Sequence, residues 1–116
     1  MDTQVFAGRG SVPQTVSSAL TRVRQAQTEA LSQTATGRCG RARKMGRIAK
    51  LYEREARWWH VLGRWTCRQT GIPVVFDSAI VAASSAADRR AKQYREWERA
   101  AWDRALRVAA DSGVAA

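Results

Sequence analysis

Between residues 43 and 68 the basic side chains come at Arg43, Arg47, Lys50, Arg54, Arg57, Arg64 and Arg68, in steps of four, three, four, three, seven and four. An α-helix turns about 100° per residue, so side chains at these steps fall within an arc of roughly 100°. Only Val61 interrupts the line. The other side of the same helix carries Met45, Ile48, Tyr52, Ala56, Trp59 and Leu62. The spacing therefore predicts one long amphipathic helix from about Arg41 to Thr70, with a core face and a nearly pure cationic face. Gly71 stands where a C-terminal cap belongs, and Pro73 follows it.

The rest of the chain is read around that helix. Its 116 residues suffice for one small domain. Residues 1–12 read as a flexible arm, within which Ser11 can cap a helix whose first turn tolerates Pro13. Val16, Leu20, Val23 and Leu31, with Ala30 beside them, recur near helical spacing. "TATGRCGR" reads as a loop and "IPVVF" as a short extended connector. Asp77 is expected to cap a third helix running to about Asp111, with 112–116 as a frayed tail. The expected fold is a single all-α domain over 13–111, a three-helix bundle with two long antiparallel helices. Its apolar content leans on alanine, which packs helices closely but buries little area. A core that thin predicts self-association into a homodimer.

Twenty lysines and arginines against ten acids give a formal charge of +10. That excess favours a polyanionic partner and says nothing about fold. Residues 1–37 and 69–116 each carry a net charge of only +1, while residues 38–68 carry +8. The third helix balances its own charges through Asp88/Lys92, Arg99/Asp103 and Asp103/Arg107, all spaced i,i+4. The second helix has no such balance. Like charges three and four apart cost a few tenths of a kcal/mol per pair in an isolated helix, Glu53 falls off the stripe, and Glu55 points toward the core face. The stripe therefore needs an external counter-charge.

From Arg43 to Arg68 it spans about 37 Å at 1.5 Å per residue, close to one turn of a B-form duplex at roughly 34 Å. The expected function is binding of double-stranded RNA or DNA through the phosphate backbone, with little sequence preference. The seven stripe residues would contact phosphates, and Arg38, Arg41 and Lys44, around the glycines of "GRCGRARK", would extend the contact. Trp58 and Trp65 flank the stripe one heptad apart, placed either to pack or to stack on bases. Trp59 is expected in the core, and Trp97 and Trp102 as core or interface anchors.

Other chemistries find little support. Cys39, His60 and Cys67 are too few and too scattered for a structural zinc site, and the two cysteines are expected as free thiols. Cys39 beside arginines lacks an assignable base and orienting carboxylate. Glu55 and Glu98 lie on apolar stripes and are expected to pair with Arg90 or Arg95 across the bundle. "CRQTGIP" resembles the turn before a recognition helix, but the residues after it are apolar where base-reading side chains belong. No P-loop glycine pattern is present. The reading is thus of a protein that is not an enzyme, holds no metal or cofactor, and has no membrane partner. Neither a signal peptide nor a spanning segment is expected from the sequence pattern, and the protein is expected to be soluble and intracellular, in the cytoplasm or the nucleoid or nucleus. The rival reading is an interaction protein whose basic stripe docks an acidic protein or assembly.

Overall fold

The computed structural model describes residues 11–113. Three α-helices account for nearly all of them: α1 (Val12–Ser32), α2 (Gly40–Cys67) and α3 (Val74–Asp111). No strand is present among the described residues.

Each helix starts and stops for a local reason. Ser11 caps α1 as the spacing predicts. Its hydroxyl accepts from the Gln14 backbone, and the Gln14 side chain accepts from the Ser11 N–H, so two otherwise unpaired donors are satisfied reciprocally. The helix begins at Val12, inside the span expected as an arm, and residues 1–10 of that span lie outside the described residues. Gly37 turns the chain toward α2 with φ +80°, a conformation that favours glycine. At its other end α2 stops at Cys67, three residues earlier than expected. The N–H groups of Arg68 and Gln69 donate back to the carbonyls of Trp65 and Thr66, tightening the last turn, and Gly71 (φ +79°) reverses the chain. The third helix starts earlier than expected. Val74 to Phe76 are helical rather than extended, because Pro73, which has no N–H to leave unpaired, serves as the N-cap and its carbonyl accepts from the Phe76 N–H. Asp77 is therefore an acid in the first turn, favourable to the helix dipole, and not the cap.

Both neighbours of α2 run antiparallel to it. On one side Gln33, the C-cap of α1, and Gln27 and Arg24 within it meet Arg47, Glu55 and Trp59 in turn. On the other, Glu98, Arg95, Ser84 and Ile80 of α3 meet Gly46, Glu53, His60 and Gly63. The α2–α3 seam repeats every seven residues, and its buried positions are small: Ala49 and Ala56 on α2, and Ser84, Ala87, Ala91, Ala101 and Ala105 on α3. α1 and α3 touch only α2 and do not pack on each other. The expected bundle is thus a central helix flanked by two partners.

This arrangement makes a thin core. Met45, Ile48, Leu51 and Tyr52 meet Ala30 of α1 and Ala91 of α3, and among the described residues the largest side chains almost fully removed from solvent are Ile48 and Val16. Ala30, and not Leu31, is the buried residue at the end of α1; Leu31 is 43% exposed. Of the core face expected on α2, Met45, Ile48, Tyr52 and Ala56 are buried, while Trp59 and Leu62 are half-buried. The molecule measures 70 × 27 × 20 Å with a radius of gyration of 19.3 Å, against about 13 Å for a compact chain of 100 residues.

Candidate nucleic-acid interface

Because α1 and α3 occupy two sides of α2, the third side is left open. Arg43, Arg47, Lys50, Arg54, Arg57, Arg64 and Arg68 stand on it, and all seven are exposed. Arg68 lies one residue past the helix, as its C-cap. Among the described residues none of the seven lies within ion-pair distance of a carboxylate. Arg47 donates to the Gln33 amide oxygen at 3.1 Å.

Glu53 and Glu98, two acids beside this rail, are held by another cation. Arg95 of α3 forks onto both oxygens of Glu53, each at 2.9 Å, and donates to Glu98 at 2.9 Å. Arg95 pulls Glu53 below its ordinary carboxylate value; partial burial opposes this, and the nearby Arg57 and Lys50 add to the lowering. Arg95 is itself raised above its ordinary value by Glu53 first and Glu98 second. Glu53 and Glu98, which lie beside the first half of the rail, are thereby engaged by Arg95 and not by the rail cations.

Other expected site residues fall differently. Arg38 is exposed in the loop before α2. Arg41 is exposed too, but two residues before Arg43 places it about 160° round the helix, off the rail. Lys44 is half-buried and lines a small recess against the loop between α1 and α2, with Gln33, Thr34, Arg43 and Arg47. Trp58 and Trp65 are half-buried and take part in neither of the aromatic pairs, which are Tyr52–Tyr94 and Tyr94–Trp97. Trp97 is 47% exposed and so is not a core residue. Trp102 had no place in the expected site, yet it lines a recess with Arg43, Gly46, Arg47, Lys50 and Glu98. The antiparallel pairing of α2 with α3 brings it there, and that register is not readable from the stripe.

The expected ion pairs are largely rearranged. Glu55 accepts from Gln27 and from the Trp59 indole, and lies 3.9 Å from Arg24 of α1, not from Arg90 or Arg95. Glu98 does pair with Arg95, within its own helix. Arg90 sits over the Tyr52 ring at 5.7 Å. Asp88/Lys92, Arg99/Asp103 and Asp103/Arg107 do not close to ion-pair distance; Arg107 donates instead to the Asp103 carbonyl.

One constellation resembles a catalytic triad and fails as one. Ser84 Oγ lies 3.1 Å from His60 Nε2, and Asp88 Oδ2 lies 3.9 Å from the same nitrogen. A relay needs serine and carboxylate on opposite ring nitrogens. Here both address Nε2, so Asp88 cannot orient the ring toward Ser84. Cys39 and Cys67 are free. Among the described residues no three His, Cys, Asp or Glu side chains gather as metal ligands, and no helix is long and apolar enough to cross a membrane. α3 packs antiparallel along α2 instead of standing at the steep angle of a helix-turn-helix.

Comparison of the chain with family models, with curated proteins and with solved structures finds no match.

Proposed function

We propose that the protein binds duplex nucleic acid, RNA or DNA, by laying α2 against the phosphate backbone, without enzymatic activity and with little sequence preference. What carries this reading is the rail: seven exposed cations along one side of a long helix, none of them at ion-pair distance from a carboxylate among the described residues, with Glu53 and Glu98 tied to Arg95. A face kept for solubility alone gains nothing from a single sign of charge, whereas a polyphosphate strand gains from every position. Trp102 and the flanking Trp58 and Trp65 offer half-buried aromatic surface along its edges.

A dimeric state belongs to the same reading. Val74, Val75 and Phe76, at the tip where α3 begins, are 77%, 66% and 56% exposed. Large apolar side chains left together in water mark an interaction surface, and pairing two tips would set two rails end to end.

The test is an anisotropy titration against blunt duplex RNA and duplex DNA over a salt series. Seven phosphate contacts predict a log–log slope of about −6 on duplex DNA. Arg47→Glu, Arg54→Glu and Arg57→Glu together should abolish binding while the helical circular dichroism spectrum persists. Undiminished binding by the folded triple variant would refute the rail.

A further inference from the structure

The rail does not end on a flat surface. Beside its last two cations the α2–α3 seam opens into a cleft of about 620 Å³, within the roughly 300–1,000 Å³ of small-molecule sites. Its opening has a sequence cause. At its floor Gly63 lets α3 come close, with Ile80 Cγ2 packed 3.4 Å from the place a Cβ would take, and above it the small side chains of Ser84 and Ser85 leave the seam open. The Ser84 hydroxyl is already engaged by His60. The lining sets apolar Trp59, Ile80 and Val81 beside polar His60 and Ser85, with charged groups of both helices around them; of these Asp88 lies 3.9 Å from His60 Nε2.

Those charged groups are divided by sign. Arg64 and Arg68 form the α2 lip, while Asp77 and Asp88 stand on the α3 side. A simple phosphate is attracted by one lip and repelled by the other, and a purely apolar ligand uses neither. A nucleotide matches both: its phosphate is anionic, its base has flat apolar faces, and the amino groups of adenine, cytosine and guanine donate to carboxylates. The α2 lip is also the rail itself, so a strand following the rail arrives at the cleft phosphate first.

We propose that this cleft is a nucleotide pocket, taking one unpaired nucleotide of the nucleic acid held on the rail, with its base in the cleft and its phosphate on Arg64 and Arg68. The proposal rests on the rail reading for the delivery of the strand. It predicts a preference for duplexes with a single-stranded end, and for adenosine over uridine there, since uracil turns an oxygen acceptor toward Asp88 where adenine offers an amino group.

Three measurements on the full chain test it: anisotropy with a blunt duplex, anisotropy with the same duplex bearing an adenosine or a uridine overhang, and amide-shift mapping with adenosine monophosphate alone. The adenosine overhang should tighten binding about tenfold, the gain of one well-stacked base. Ser85→Trp, which fills the cleft from α3, should remove that gain and leave blunt-duplex affinity unchanged. Asp88→Asn, a near-isosteric change, should narrow the adenosine-over-uridine preference. Equal affinity for blunt and overhang duplexes overturns the pocket and leaves the rail standing. If no duplex binds, the rail has failed; the pocket survives alone when adenosine monophosphate shifts the Val81, Ser85 and Asp88 amides, and falls when it does not.

Discussion

Arg95 is the side chain on which the most local structure converges, because it alone bridges α3 to Glu53 of α2 while also holding Glu98. The sign of the resulting pH dependence follows from Glu53. Its native value is lowered below the ordinary 4.5, so the stability it contributes is fully present above the unfolded value and is lost as pH falls through the native one. Thermal midpoints measured downward from neutrality should therefore decline below about pH 4.5. Glu53→Gln should have a lower midpoint at neutral pH and a flatter decline in acid. An unchanged decline in that variant would mean that other carboxylates set the acid sensitivity. Both partners are about one-third exposed, so the effect on the midpoint should be small.

Helix α2 was legible because its signal is periodic: the basic steps mark the open face, and Met45, Ile48, Tyr52 and Ala56 mark the buried one. The α2–α3 seam was less legible because its residues are alanine, serine and glycine, which carry almost no hydrophobic contrast against the exposed alanines Ala82 and Ala100 on the same helix. What identifies Ala87 and Ala91 as seam residues is register, and register depends on where α3 begins. The helix start at Val74 was missed because an apolar run after proline reads equally as a strand. Trp102 and the cleft at Gly63 were missed for the same reason, since both exist only once the two helices are aligned. The seam makes a sharp prediction. Ala87 is 3% exposed, so Ala87→Leu overpacks it and should destabilise the fold by about 1–3 kcal/mol in urea denaturation. Ala100→Leu, on the exposed side, should be nearly neutral. Equal costs at both positions would mean that the helices are not aligned in this register.

At the scale of the whole molecule, the absence of an α1–α3 interface explains the elongated shape and the surfaces left open to solvent. A central helix flanked by two others buries few large side chains and leaves α2 one open side, which the cations occupy, and it leaves the tip at Val74–Phe76 uncovered. Sequence alone suggested self-association from thin alanine packing, but it could not say where, because the tip residues read as a connector. Their exposure makes the geometry of assembly testable by small-angle scattering at salt high enough to release nucleic acid. A single chain has a radius of gyration of 19.3 Å and a long dimension of 70 Å. Two chains joined tip to tip would form a rod with a radius about double that value, whereas side-by-side pairing would raise it only slightly and cover a rail. Val75→Glu with Phe76→Glu should return the long rod to the single-chain value without loss of helix, because both side chains are exposed and the like charges would face each other across a two-fold contact. On duplex RNA that variant should cover about one helical turn per bound chain, while the parent should cover about twice that length as a unit. A parent that scatters as a single chain across the accessible concentrations would instead leave each rail to act alone, and the exposed tip would have to meet a different partner.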